Sequence, residues 1–290
     1  MSSNPVAQTA FGPMVLAAIE HNEAPGRRLV DDDLAESFLP AQLRALVRAA
    51  RIGPVRKSVM ALSERSGPGL WASIACRKRF IDERLSDPLN DVGAVVILGS
   101  GLDTRPYRIA RHSSLPVFEV DQRVNIDRKV EVVNRVIGSV PESVRLVAVD
   151  FEHDDLMATL HQAGYRDEGR TLFIWEGVTQ YLSRDAVLAT FEQIRQSRPG
   201  TRLIFTYVRQ DFIDGVNLYD AQVLYNKFSK RRQIWQTGFV PEQLEEFLRG
   251  YDWRLIEQAG PGYYRDTYIR PTGRTISASP LEWTATAIKA

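Results

Sequence analysis

The sequence of 290 residues contains a single cysteine, Cys76, and no long uninterrupted run of apolar side chains. One cysteine excludes a disulfide framework within the chain and makes a thiolate metal site unexpected, so we predict no metal. No stretch approaches the roughly 18 consecutive apolar residues that a membrane-spanning helix needs. The first residues also lack the basic and apolar segments of a signal peptide. We therefore expect a cytoplasmic protein without a membrane partner.

An excess of charge of one sign is also missing, because 37 Lys and Arg residues are balanced by 36 Asp and Glu residues. Proteins that bind nucleic acids usually carry a basic patch and an excess of positive charge. The formal net charge of +1 therefore predicts no nucleic-acid partner. An apolar fraction of 44% is ordinary for a globular chain with a sizeable core. We expect a small-molecule partner and a monomer or homodimer.

Two regions with different hydrophobic patterns follow one another along the chain. Residues 1–91 are predicted to be mainly helical, beginning with a helix over Val6–Ile19. From residue 92 onward, short apolar runs alternate with longer amphipathic stretches, which predicts a parallel sheet with crossover helices. The predicted strands of this part are Ala94–Leu98, Val117–Val120, Arg145–Val149, Thr171–Trp175 and Arg202–Val208.

The end of the chain departs from this alternation. Trp253–Gln258 and Leu281–Ile288 are predicted strands, and the polar, aromatic segment between them is predicted to be a loop without a helix. Strands joined in this way are expected to pair in the antiparallel direction. A seven-stranded sheet with an antiparallel last strand is the Rossmann-like plan of class I S-adenosylmethionine (SAM)-dependent methyltransferases. A nicotinamide-binding Rossmann domain would instead end on a parallel strand.

We expect one compact domain overall. Residues 1–91 would form a helical segment that packs over the cofactor and acceptor site. Residues 92–290 would form the cofactor-binding core, with a helical cap inserted at about residues 209–239. The cap is rich in aromatic and basic side chains, so it either holds a hydrophobic acid or is ordinary core and solvated surface.

A glycine-rich turn, Gly99-Ser100-Gly101, follows the first predicted strand. Glycine permits a tight turn and lets a ligand approach the main chain closely, although an ordinary strand-to-helix turn can look the same. Thr104 occupies the place of the third glycine of the dinucleotide-binding pattern, which disfavours a pyrophosphate ligand. SAM has no phosphate and needs no glycine at that place.

Acidic residues close the next three predicted strands. Asp121, 22 residues after Gly99, can accept hydrogen bonds from both ribose hydroxyls. Asp150 can accept from an adenine amino group beside Phe151, and Glu176 can hold the ammonium group of a methionine moiety. The alternatives are a helix N-cap for each aspartate and a buried carboxylate paired with an arginine for Glu176. Three acids beside a glycine-rich turn favour SAM.

Four segments resemble the leucine carboxyl methyltransferase family. The closer likeness is to its actinobacterial branch of SAM-dependent methyltransferases, related to the polyketide O-methyltransferases of tetracenomycin biosynthesis. The segments are Gly99–Arg108, Phe118–Gln122, Asp150-Phe151 and Trp175–Leu182, and the likeness covers the chain from about Leu29 onward. It implies ribose contacts for Asp121, adenine contacts for Asp150 and Phe151, and a place for Glu176 near the methionine amine.

The family also carries an arginine in a helix before the first strand, and Arg77 is the match in this chain. The resemblance implies that Arg77 pairs with the carboxylate of SAM or of a substrate. Lys78 replaces the usual threonine of this stretch, and a solvated basic helix face over residues 77–79 is the alternative. The full predicted cofactor-binding set is Arg77, Gly99, Ser100, Gly101, Asp103, Arg105, Asp121, Gln122, Asp150, Phe151, Glu176 and Gly177.

The predicted activity is O-methylation of a small hydrophobic metabolite, at a carboxylate or an acidic hydroxyl, within secondary metabolism. A carboxylate acceptor needs no general base, and none of the four histidines lies in a motif of the predicted crevice. No catalytic residue is identified, but Arg77 and Tyr181 are candidates for positioning the acceptor. The alternatives are a SAM-binding paralogue or sensor without turnover and a nicotinamide-dependent oxidoreductase.

Overall fold

The computed structural model describes residues 11–86, 91–230 and 234–290. Its first part is helical, and the predicted helix over Val6–Ile19 is found from Phe11 onward, its earlier residues lying outside the described ranges. The helices of this part are α1 (Phe11–His21), α2 (Ala35–Phe38), α3 (Ala41–Ala49), α4 (Gly53–Ser66) and α5 (Leu70–Ser86). Among the described residues, no helix is both long and apolar enough to pass through a membrane.

Seven strands form one mixed sheet in the order β3-β2-β1-β4-β5-β7-β6. The first five pair in the parallel direction, and β7 lies antiparallel between β5 and β6. The fold class expected from the sequence is therefore confirmed. The strands are β1 (Ala94–Leu98), β2 (Val117–Asp121), β3 (Val144–Ala148), β4 (Thr171–Trp175), β5 (Arg202–Val208), β6 (Trp253–Ala259) and β7 (Glu282–Lys289).

Strand β1 shows why the sheet is covered on both faces. Its residues are all buried, and successive side chains enter two different cores. Val95 and Ile97 pack in the core that contains α1 and α5, whereas Val96 and Leu98 pack in the opposite core. A strand buried on both faces must be apolar at every position, which explains its continuous apolar sequence.

Helices connect the parallel strands, as the alternating pattern predicts. Two of them begin at side-chain caps, because Asp155 accepts from the main-chain N–H of Ala158 and Ser183 accepts from that of Ala186. The second of these helices begins at Arg184 and ends at Ile194. The connecting helices are α6 (Arg105–Ala110), α7 (Arg123–Ile137), α8 (Leu156–Gln162) and α9 (Arg184–Ile194).

The cap insertion between β5 and β6 contains α10 (Gln210–Ile213), α11 (Gln222–Tyr225) and a π-helical turn at Asn226–Lys230. Phe212 and Leu224 of this insertion are buried in a small cluster that also includes Leu281. A 3₁₀ turn at Pro241–Gln243 and α12 (Leu244–Arg249) then return the chain to β6.

The connection from β6 to β7 differs from the prediction of a loop without a helix. It contains a helical turn at Pro261–Tyr263, named α13, followed by π-helical and 3₁₀ turns through Thr272. Tyr264 and Tyr268 are one helical turn apart and are both buried against the core that contains α5. The polar and glycine residues of the segment disfavour a helix prediction from the sequence. The helical turns are stabilised by the tertiary packing of the two tyrosines, which the sequence does not show.

Candidate functional site

A cavity of about 800 Å³ lies beyond the carboxyl ends of β1, β2 and β4. Ligands bind at this edge in open parallel sheets, and small-molecule sites measure about 300–1,000 Å³. The cavity wall brings together most of the residues predicted from the sequence, namely Arg77, Gly99, Ser100, Gly101, Asp103, Asp121, Gln122, Phe151, Glu176, Gly177 and Tyr181. Arg105 and Asp150 are not among its lining residues.

The turn after β1 can only be built with glycine at its first position. Gly99 has a φ of +70°, and a Cβ atom there would overlap the side chain of Val178. Gly101 has a φ of +45°. The main-chain N–H groups of Gly99 and Ser100 both donate to the carbonyl of Val120, at 2.8 and 3.0 Å. The turn is therefore fixed to the end of β2.

Asp121 lies in the cavity wall with both carboxylate oxygens already engaged. One oxygen accepts from the main-chain N–H of Gly101 at 2.6 Å. The other accepts from the main-chain N–H of Gln122 and the side-chain amide of Asn125, each at 2.7 Å. A carboxylate has about four acceptor positions, so one position remains for a ligand hydroxyl in this arrangement. The side chain does not cap α7, whose N-cap is Gln122 without a side-chain cap bond.

Arg105 lies behind the wall, where it ties three acidic side chains together. Its guanidinium donates to Asp82 at 2.5 Å, to Asp103 at 2.7 Å and to Glu176 at 2.6 Å. The side chain is 2% exposed, so these pairs are shielded from water. Arg105 therefore positions the wall residues Asp103 and Glu176, and its contact with the cofactor stays a prediction.

Arg77 and Lys78 are buried, which overturns the alternative of a solvated basic face for these two residues. Nε of Arg77 donates to Glu176 at 3.0 Å, and Nη1 donates to Glu282. The ammonium of Lys78 lies 3.5 Å from the same Glu176 carboxylate. Glu176 thus shows the geometry of a buried carboxylate paired with arginine, while also lining the cavity. Its contact with a ligand ammonium group stays a prediction.

The charges around Glu176 keep it ionised. Burial by itself would raise the pKa of this carboxyl, but Lys78, Arg105 and Arg77 outweigh burial and hold the pKa well below its ordinary value. The same balance of burial against Arg105 and Lys78 lowers the pKa of Asp103. The polar part of the cavity wall therefore offers stable anions next to stable cations.

Phe151 lines the cavity, and its ring stacks on Trp175 with centroids 6.4 Å apart. Asp150 instead closes a turn, because its side chain accepts from the main-chain N–H of Glu152 at 3.1 Å. It is not the cap of α8, since Asp155 fills that role. Glu152, which the sequence reasoning did not single out, takes the place in the wall expected for Asp150. An adenine contact of Asp150 stays a prediction.

Two further residues at the site were missed from the sequence. Lys129 is fully buried and donates to the carbonyls of Gly101 and Asp103, at 3.1 and 2.8 Å. The sequence could have indicated that Lys129 is buried, because it lies three residues from both Ile126 and Val132 on the buried face of α7. Gln180 lines the cavity within the family-like segment, but nothing in its type marked it.

The residues present fit SAM as a cofactor. Anions and cations lie side by side in the wall, as a zwitterionic amino-acid group requires, and Phe151 offers an aromatic face. The hydroxyl of Ser100 is buried in the wall with no hydrogen-bond partner among the described residues, so it is open to a ligand atom. The turn at Gly99 and Gly101 lets a ligand approach the main chain closely.

Comparison with known proteins agrees with this geometry. The sequence profile of the leucine carboxyl methyltransferase family matches residues 10–195, which is more than half of the chain. A Mycobacterium tuberculosis protein, provisionally named an S-adenosyl-L-methionine-dependent methyltransferase, is 35% identical over 270 residues. The match covers 89% of this chain and 78% of the mycobacterial one.

Solved structures show the same fold at low sequence identity. A provisionally named methyltransferase of Thermobifida fusca is 20% identical, with a TM-score of 0.57 over 100% of this chain and 99% of that one. A DUF574 family protein of Streptomyces avermitilis is 12% identical, with a TM-score of 0.54 over 95% and 97% of the two chains. The chain belongs to the leucine carboxyl methyltransferase family, and it is a SAM-dependent methyltransferase.

Proposed function

We propose that the enzyme O-methylates a small hydrophobic acid, at its carboxylate or at an acidic hydroxyl. The observation that carries this proposal is that the cavity wall has, besides its charged part, an apolar part that bears a cationic side chain. The apolar lining residues that pack together there are Leu70, Val208, Leu224, Phe228, Trp235 and Leu281. Lys227 also lines the cavity, with its ammonium 5.0 Å from the Phe228 ring centroid.

This combination suits a hydrophobic anion. Apolar side chains favour the hydrophobic body of an acceptor. The ammonium of Lys227 favours a negative charge over a neutral or positive group. An amine acceptor would meet an additional cation here, which disfavours N-methylation. The name of the family, which specifies a carboxyl group, supports the same class of acceptor.

The site also suits an acceptor that needs no strong base. Bound SAM supplies an electrophilic methyl group on a sulfonium. When a carboxylate oxygen forms the new O–CH₃ bond and the S–CH₃ bond breaks, one negative and one positive charge are consumed and no proton is released. No histidine is among the described residues that line the cavity. The chain then has to position the acceptor and exclude water, which the apolar wall does.

The test is methyl transfer from SAM carrying a radiolabelled methyl group to a matched set of acceptors. The set comprises a hydrophobic carboxylic acid, its primary amide, the corresponding phenol and the corresponding amine. We expect labelling of the acid, as a methyl ester that mild alkali hydrolyses to volatile methanol, or of an acidic phenol as an alkali-stable ether. Labelling of the amine or amide alone would contradict the proposal.

A SAM-binding protein without turnover is the alternative considered from the sequence, and the charge network of the site is equally compatible with it. Glu176 and Arg77 are already paired with each other, so they hold the site together whether or not methyl transfer occurs. Calorimetry with SAM and S-adenosylhomocysteine separates the two candidates. Tight binding of both ligands, with no labelled product from a broad acceptor panel, would identify the non-catalytic form.

A further inference from the structure

Besides Ser100, two polar side chains in the cavity wall have buried atoms without a hydrogen-bond partner in residues 11–86, 91–230 and 234–290. They are the side-chain oxygen of Gln180 and the indole N–H of Trp235. Gln180 is 4% exposed, so bulk water does not satisfy its oxygen. Buried polar groups normally find a partner, and one left without a partner destabilises the structure. Because both side chains also line the cavity, each atom is placed where a bound molecule could supply its partner.

The two residues are held next to each other by the segment that follows Trp235. The main-chain N–H of Gln236 donates to the carbonyl of Gln180 at 2.7 Å. The side-chain amide of Gln236 donates to the carbonyl of Tyr181 at 3.2 Å. The Trp235 ring meets Tyr181 edge-to-face, with centroids 6.2 Å apart, and stacks on Phe228 at 5.1 Å. Packing against Tyr181 and Phe228 therefore fixes the indole, and the main chain that follows it is bonded to Gln180.

The surroundings of Trp235 are apolar. Trp235 packs in the cluster formed by Phe212, Leu224 and Leu281, which belongs to the proposed acceptor part of the wall. A hydrophobic molecule that fills this space without a polar substituent would cover both polar atoms and leave them unsatisfied. A molecule that offers a donor to the oxygen of Gln180 and an acceptor to the N–H of Trp235 would satisfy both atoms.

We propose that Gln180 and Trp235 bind a hydroxyl group on the hydrophobic body of the acceptor, so that the substrate is a hydroxylated hydrophobic acid. A hydroxyl matches both atoms, because it donates to the oxygen of Gln180 and accepts from the N–H of Trp235. A methyl ether keeps only the accepting oxygen, and a hydrogen atom keeps neither interaction. This inference rests on the proposed function and adds a selectivity among acids that the function alone does not give.

The experiment measures binding, so it does not depend on turnover. Protein saturated with S-adenosylhomocysteine is titrated by calorimetry with a hydroxynaphthoic acid, the matching methoxynaphthoic acid and plain naphthoic acid. We expect the hydroxy acid to bind about tenfold more tightly than the plain acid, as for a site whose buried polar groups lose their partners. In Gln180→Met, a similar shape without the accepting oxygen, the three affinities should become nearly equal.

A matched control is Gln222→Met, because Gln222 is exposed on α11 and its amide pairs with Asn226 outside the cavity wall. This variant should keep the preference for the hydroxy acid. Unaltered binding of S-adenosylhomocysteine shows that Gln180→Met is folded. If this variant does not fold, the comparison of the three acids on the unaltered protein decides alone.

Equal affinities of the three acids for the unaltered protein would overturn the inference and leave the proposed acid acceptor standing. A preference that persists in Gln180→Met would overturn the role of Gln180. If none of the acids binds, the proposed acceptor class fails, and this inference fails with it.

Discussion

Replacing Lys129 by methionine is expected to destabilise the fold and to weaken SAM binding at the same time. Lys129 reaches from α7 under the glycine-rich turn, where its ammonium lies 2.5 Å from the carboxylate of Glu119. Both side chains are completely buried. The same ammonium donates to the carbonyls of Gly101 and Asp103, and the hydroxyl of Tyr107 donates to Glu119. One cation thus links the core of the sheet to the glycine-rich turn.

The magnitude follows from what the substitution leaves behind. Methionine fills most of the space, so the main loss is electrostatic and leaves Glu119 as a buried carboxylate without its cation. Breaking a buried pair in this way costs about 3–5 kcal/mol. Burial already raises the pKa of Glu119, and Lys129 counteracts that effect. Without Lys129 the pKa rises further, and Glu119 can take up a proton instead of remaining charged.

The pH dependence of this loss has a definite sign. A carboxyl whose pKa is higher in the folded state binds more protons there than in the unfolded chain. Its contribution to the free energy of unfolding therefore decreases as the pH rises through the folded-state pKa. We expect the Lys129→Met variant to lose more stability at about pH 8 than at about pH 5.

Urea denaturation and calorimetry with SAM are the assays, and Lys129→Met combined with Glu119→Gln is the matched control. The double variant has no unpaired charge, so it should regain about half or more of the lost stability. It should not regain SAM affinity, because the carbonyls of Gly101 and Asp103 still lack their donor. A loss below about 1 kcal/mol in the single variant, or equal losses in the single and double variants, would refute this reasoning.

Four further predictions concern the same site. Gly99→Ala forces a side chain into a left-handed conformation and should reduce the free energy of unfolding by about 1–3 kcal/mol in urea, with weaker SAM binding. Asp121→Ala should weaken SAM binding by about 1.5–3 kcal/mol in calorimetry, and an unchanged Kd would count against its ribose contact. The pKa of Glu176 is lower in the folded state than its ordinary value of 4.5, so stability should fall as the pH drops below that value, and Glu176→Gln should flatten this fall in acid denaturation curves. Burial raises the pKa of Cys76 to about 12, so an aromatic disulfide reagent should label this thiol only after unfolding, and rapid labelling of the native protein would contradict its burial.

The strands and the general place of the site were predictable because both depend on local signals. A strand such as Ala94–Leu98, buried on both faces, must be apolar throughout, and this leaves an unmistakable run in the sequence. Topology then brings the carboxyl ends of parallel strands to one edge, where Asp121 and Glu176 both line the cavity. The antiparallel β7 was predicted because the segment before it was expected to be a loop, and the helical turns found there are too short for a crossover helix.

The helical turns at Pro261–Thr272 were not predictable in the same way, because their stability depends on burying Tyr264 and Tyr268 against the helices of the first part. The turn made by the Asp150 side chain was not predicted either. Its place after a strand was right, but the turn directs its carboxylate to the main chain of Glu152. The side chains of Phe151 and Glu152, the next two residues along the chain, line the cavity instead.

The sequence by itself determined the sheet, the glycine-rich turn and the acids that follow the strands. Each of these depends on a pattern that spans only a few neighbouring residues. Only the tertiary structure decided which charges meet. Glu176 is approached by Arg77, 99 residues before it, and by Arg105, 71 residues before it. Lys129 contacts Glu119 and the glycine-rich turn from the buried face of α7. Coulombic and hydrogen-bond partners are chosen by distance in space, and sequence separation carries little information about that distance.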